Sequence, residues 1–166
     1  MRKLKTVCLL LFLLLGATVA DAMMKGPRPE VLGIKLGMKE EAARSRLRKV
    51  AHQQKEEREN EGEGEQEVWT LRKHPRFDYL IIRFTGEHRV WFVTAVPRKE
   101  SRMQYSELGD LKDARQQTDG TNYTYTWQVA ARGREPGYVV VARGSDPQYL
   151  TSYSIYLSAK TTVEVN

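Results

Sequence analysis

Residues Tyr79–Val96 read YLIIRFTGEHRVWFVTAV, the clearest strand signal in the sequence. β-Branched and aromatic side chains suit a pleated, half-buried surface. The stretch therefore predicts two strands, Tyr79–Phe84 and Arg89–Val96, joined by a tight turn. Gly86 can take a positive φ without steric cost. As first central residue of a Gly86-Glu87 loop it predicts a type II′ turn. That loop pairs Phe84 with Arg89, Ile82 with Trp91 and Leu80 with Val93. One face then carries Leu80, Ile82, Phe84, Trp91, Val93 and Ala95. It is the expected core, packed against a helix over Met38–Val50. The other face carries Tyr79, Ile81, Val90, Phe92 and Val96, interrupted by Arg83 and Thr94. A strand pair apolar on both faces belongs inside a sheet. Arg83 and Thr94 mark the second face as the less sealed one.

The start of the chain is set apart from this fold. Arg2, Lys3 and Lys5 precede an apolar run, Val7–Leu15, that is too short to span a bilayer comfortably. Ala20-Asp21-Ala22 fits a small-x-small cleavage site, so residues 1–22 read as a signal peptide cut after Ala22. The expected destination is periplasmic or extracellular, with no integral membrane segment once processed. Cys8 is the single cysteine. It lies inside the apolar run, far from the cut, and is badly placed for lipidation. Residues 23–166 thus hold no disulfide, although export would permit one, and read as one domain able to bury its own core. The formal net charge of the chain is +6. It favours acidic surfaces in general without selecting one.

Met23–Val31, with Gly26, Pro27 and Pro29, predicts an extended lead-in. In Gly33–Gln53, Ala43, Leu47, Val50 and Ala51 recur at helical spacing, and Glu40 and Glu41 suit the positive end of a helix dipole. Ile34-Lys35-Leu36-Gly37-Met38, followed by Ala43 and Leu47, resembles the opening helix of SmpA/OmlA-type outer-membrane assembly lipoproteins and of the β-lactamase-inhibitor-protein fold. The chain keeps Gly37, Met38 and Leu47 of that pattern. It has Lys39 at the capping threonine, Ala42 at the capping-box glutamate, and Arg48 and Val50 at the terminal glycine and proline. The resemblance implies a helical layer on a curved antiparallel sheet, and a role in binding other proteins. Without the terminal glycine, the helix is expected to continue through Arg48–Arg58. Arg44, Arg48 and Lys55 on it are candidates for contacting an anionic surface. The plain alternative is a solvated helix face.

Glu56–Glu67 holds seven glutamates and two glycines, which predicts a flexible acidic loop. It contains no aspartate, unlike a calcium-binding loop. Glu67–Arg72 reads as a strand and Lys73–Asp78 as a turn at Pro75. Tyr105–Arg115 predicts a second helix, with Ser106 as N-cap and Leu108, Leu111 and Ala114 on one side. Gln116–Asn122 reads as a loop. Tyr123–Val129 alternates cleanly, as a half-buried strand does. Tyr138–Arg143 and Leu150–Leu157 predict a hairpin around Gly144-Ser145-Asp146-Pro147. The expected fold is α+β, an antiparallel sheet of about six strands with helices on one face. Helix, strand and hairpin occur twice in order, and Tyr79-Leu-Ile-Ile parallels Tyr138-Val-Val-Val, as an αβββ–αβββ duplication would.

No catalytic, cofactor or metal residues emerge. His52, His74 and His88 lack a short metal spacing. Glu87-His88-Arg89 has the residue types for acid–base cleavage of a phosphodiester, but neighbours in a turn point apart. Such a trio would have to converge from Glu67 or Glu87 with His74 and Arg83. Ser145 lacks a nucleophile elbow, and no phosphate or dinucleotide fingerprint occurs. Tyr123, Tyr125 and Trp127 could stack bases beside Arg132, Arg134 and Arg143, yet their alternation reads as core, and no specific nucleic-acid motif is present. Asn122-Tyr123-Thr124 is a glycosylation sequon, relevant only in a eukaryotic secretory pathway. The leading reading is a non-catalytic module that binds another protein through Tyr79, Ile81, Arg83, Val90 and Phe92. The alternatives are a small secreted phosphodiesterase or ribonuclease-like enzyme, and a binder of anionic surfaces through the basic helix.

Overall fold

The computed structural model describes residues 26–54 and 66–158. The expected signal peptide, Lys55 and nearly all of the expected acidic loop lie outside the described residues. The described chain is mostly β. A small hairpin, β1 (Glu30–Val31) and β2 (Ile34–Lys35), turns through Leu32 and Gly33 with φ of 52° and 76°. Two consecutive positive φ values are the mark of a type I′ turn. It places Val31 and Ile34 side by side in the core.

A helix, α1 (Glu40–Leu47), follows and buries Glu40, Ala43 and Leu47. It does not run on to Arg58. Arg48, Lys49, Val50 and Ala51 close it with backbone bonds to Arg44, Arg46 and Leu47, and β3 (His52–Gln54) is already extended. The next strands are β4 (Gln66–Thr70), β5 (Phe77–Phe84) and β6 (Val90–Pro97). The expected helix over Tyr105–Arg115 is absent. Two 3-10 turns, Tyr105–Glu107 and Leu111–Asp113, stand there instead, separated by Gly109. Pro27 and the Trp127 indole pack closely on Gly109, where a Cβ would come within 3.1 Å of each, and this tertiary contact, with the flexibility of glycine, accompanies the break between the two turns. The expected loop after it is also a strand, β7 (Arg115–Asp119). β8 (Asn122–Val129), β9 (Tyr138–Gly144) and β10 (Ser152–Leu157) complete the fold.

The large sheet is antiparallel throughout, in the order β3-β4-β5-β6-β10-β9-β8-β7. It has eight strands rather than about six. The additions, β3 and β7, are short polar strands at the two edges, where a sequence has little apolar pattern to show. Each half of the chain forms a four-stranded meander, and the two last strands, β6 and β10, pair at the centre.

One continuous core lies on one face of this sheet. Trp69, Leu80, Ile82, Val93, Ile155, Val140 and Trp127 cross it from strand to strand. α1, the β1–β2 hairpin and the Met103–Leu108 segment all add residues to that same cluster. Trp127 and Tyr125 are buried in it, as the alternation of β8 predicts.

Candidate binding site on the second face of the sheet

The β5–β6 hairpin decides what each face offers. Its turn differs from expectation. Gly86 does not take a positive φ; His88 does, at 57°. His88 N donates to the Thr85 carbonyl at 2.9 Å, and Thr85 N donates to the Arg89 carbonyl at 2.8 Å. That is a three-residue loop closed by a left-handed residue. Histidine is among the side chains that tolerate this region, and two contacts hold it there. Its Nδ1 lies 2.7 Å from a Glu40 carboxylate oxygen, and its carbonyl accepts from Glu40 N at 2.8 Å.

The longer loop shifts the register. Phe84 pairs with Val90, Arg83 with Phe92, Ile82 with Val93 and Leu80 with Ala95. Trp91 is the extra residue of a β-bulge, and a bulge exchanges the faces of the residues before it. Val90 is therefore fully buried in the core, and it leaves the set of candidate binding residues. Trp91, expected in the core, is only half-buried.

The remaining candidates do share the second face. Tyr79 is 43% exposed, and Ile81, Arg83 and Phe92 are half-buried. The register places on the same face Val68 on β4, Thr94 on β6, Tyr156 on β10 and Val139 on β9, all half-buried, with Ser154 and Val141 buried between them. Phe92 stacks on Tyr156 with ring centroids 6.0 Å apart and meets Trp91 at 5.6 Å. The Arg83 guanidinium lies 5.1 Å over the Phe92 ring and donates to Gln66 at 2.9 Å. Arg143 and Arg115 lie on the same face further along. In strand positions of this face Asp119, at the far corner, is the one carboxylate among the described residues. The surface is thus an apolar, aromatic centre with a cationic margin.

The core face gathers the ionisable groups differently from the expected trio. Glu67 is 2% exposed and belongs to β4, not to the acidic loop. Arg44 donates to one of its oxygens, and the Trp69 indole N–H to the other at 2.9 Å. Arg44 also reaches Glu40 at 2.5 Å, which in turn holds His88. Arg44 is therefore tied into the fold, while Arg48 is exposed at the end of α1. His74 caps the turn before β5, its Nδ1 accepting from Arg76 N and Phe77 N at 3.2 Å. Arg83 is on the opposite face. The structure thus keeps Glu67, His74 and Arg83 apart. The shallow hollow of about 420 Å³ beside His88 is lined by the same residues that tie α1 to the hairpin. Among the described residues no group of three potential metal ligands occurs, and no helix is long and apolar enough to cross a membrane.

Asn122, the sequon asparagine, is exposed at the β7–β8 turn. Comparison of the chain with family models, with curated proteins and with solved structures finds no match.

Proposed function

We propose that this chain is an exported, non-catalytic module that binds another protein on the second face of its sheet. The observation that supports this reading is the composition of that face. Phe92, Tyr156, Ile81 and Tyr79 form an apolar surface edged by Arg83 and Arg143, with little negative charge of its own. Half-exposed apolar surface at the centre of a sheet is costly in water unless something covers it. The margin fits a partner whose contact patch is apolar and ringed by carboxylates, which would steer the encounter. The resemblance to protein-binding families of the SmpA/OmlA and β-lactamase-inhibitor type agrees with this reading. We also read the two meanders as an internal duplication, each copy preceded by a helical or 3-10 segment.

A photo-crosslinking residue in place of Phe92, in the producing cell, tests the reading. A discrete adduct with a different protein is expected from position 92 and none from Glu41 on the opposite side. Phe92→Glu should abolish copurification of that protein while leaving Tm nearly unchanged. A collapse of Tm would make Phe92 a core residue. An adduct of twice the chain's mass would mean self-association. Either result overturns the proposal.

A further inference from the structure

A cleft of about 1060 Å³ opens on the core side of the sheet, between the N-terminal strand-turn segment and the two 3-10 turns. One wall is the chain from Gly26 to Gly33, and the other is Ser106–Lys112. The walls are braced against each other and against the sheet. The Tyr138 hydroxyl donates to the Pro27 carbonyl at 2.5 Å, Pro27 lies against Gly109, and the Trp127 indole donates to the Asp110 carbonyl at 2.9 Å. The floor is apolar: Phe77, Met103, Val140 and Ile155.

Tyr153 stands in that floor. Its side chain is 7% exposed, packed on Phe77 at 6.2 Å. Its hydroxyl has no hydrogen-bond partner among the described residues. No enclosed polar side-chain atom among them lacks a partner, so this hydroxyl reaches the cleft rather than the core. A phenol so deeply set normally finds an acceptor. Arg28 and the Lys112 ammonium stand on the walls, while the other wall charges are engaged elsewhere. Arg76 pairs with Glu107 at 2.5 Å, Glu30 with Lys35 at 3.6 Å, and Asp110 accepts from Lys112 N at 3.0 Å. What the floor leaves unsatisfied is one neutral donor inside an apolar depression. Pockets for small ligands share this make-up, an apolar lining with a few placed polar groups, at volumes of about 300–1,000 Å³.

We infer that the cleft is a binding site for a largely apolar small molecule carrying a carbonyl or ether oxygen, which accepts a hydrogen bond from Tyr153. The inference is independent of the proposed protein-binding face, which lies on the other side of the sheet.

Protein expressed from the whole sequence and titrated with Nile red, a neutral fluorophore with a carbonyl acceptor, tests this. Saturable binding with one site per chain and a blue-shifted emission is expected. Tyr153→Phe removes only the hydroxyl and should weaken binding about 2- to 10-fold, the worth of one hydrogen bond, without lowering Tm. Leu111→Glu, at a wall position already 40% exposed, should weaken it further with Tm again unchanged. Phe92→Glu should leave it intact. The inference fails if no saturable binding occurs, or if both cleft variants bind as the parent does. It also fails if Phe92→Glu alone abolishes binding.

Discussion

His74 makes one atom serve as the acceptor for two backbone donors, Arg76 N and Phe77 N. Only the neutral ring keeps a lone pair on Nδ1 for them. Burial, and then the positive charges of Arg76 and Arg98, hold its pKa below the ordinary 6.5. Arg98 belongs to the same turn, donating to the carbonyls of Leu71, Arg72 and His74 and pairing with Asp78 at 2.8 Å. The sign of the pH effect follows. Between the lowered folded pKa and 6.5 the unfolded chain binds more protons at this position, so the stability His74 contributes is complete above 6.5 and is lost as pH falls through the folded value. Asparagine in this role offers a carbonyl oxygen that does not titrate. Tm of the parent should therefore fall relative to that of His74→Asn as pH is lowered from about 7 to about 5, the range in which histidine changes charge. His52 and His88 are common to both proteins and cancel in the difference. Equal Tm shifts in the two proteins would mean that the ring nitrogen does not hold the turn.

At the scale of elements, two glycines exchange roles between sequence and structure. Gly86 looks indispensable when only Thr85-Gly86-Glu87-His88 is read. In the fold its φ is not positive, and nothing lies within 4 Å of where its Cβ would be. Gly144 looks like a generic turn residue. A Cβ there would lie 2.5 Å from the Tyr149 carbonyl oxygen and 2.6 Å from the Tyr105 hydroxyl. Gly86→Ala should thus be neutral or stabilise slightly, because it restricts only the unfolded chain. Gly144→Ala must move backbone and should cost about 1–3 kcal/mol. Urea denaturation of the two variants reads the difference directly. If Gly86→Ala is the damaging one, the three-residue loop closed by His88 is wrong. The same contrast shows what was legible. The strands β5, β6, β8, β9 and β10 announce themselves, β8 by its clean alternation and the others by apolar, β-branched and aromatic stretches. The register of β5–β6 was hidden, because the left-handed position is filled by His88, held by Glu40 from far along the chain. A bulge at Trp91 then leaves Val90 on the core face. The Tyr105–Arg115 segment has helical spacing at Leu108, Leu111 and Ala114. The break between its 3-10 turns accompanies the packing of Pro27 and Trp127 on Gly109, and no local pattern contains that contact. The polar edge strands β3 and β7 have no apolar signature, and pairing with a neighbour alone makes them strands.

At the scale of the molecule, the question is whether the two meanders fold as one. In the described residues their strands pair where β6 and β10 meet, with Ala95 opposite Tyr153, Thr94 opposite Ser154, Val93 opposite Ile155 and Phe92 opposite Tyr156. The core does not stop at that seam. Val93 and Ile155 lie in the same buried cluster as Trp69 in the first half and Trp127 in the second. On the other face the Thr94 and Ser154 hydroxyls share a hydrogen bond of 2.7 Å. A two-layer fold with a single core buries too little in either half for one to persist alone, so unfolding should be one cooperative transition. The tryptophans report on the halves separately. In Trp127→Phe the fluorescence follows Trp69 and Trp91, and in Trp69→Phe/Trp91→Phe it follows Trp127. Each variant's fluorescence midpoint in urea should coincide with its own circular-dichroism midpoint. Ile155→Ala opens a cavity at the seam, where it should cost about 2–5 kcal/mol. Placed in either tryptophan background, it should shift both signals together, because neither half keeps its structure once the shared layer is weakened. A Trp127 signal that survives while the first half melts would make the meanders independent units. The proposed binding face, whose residues come from both β6 and β10, would then be assembled by docking two domains rather than by folding one.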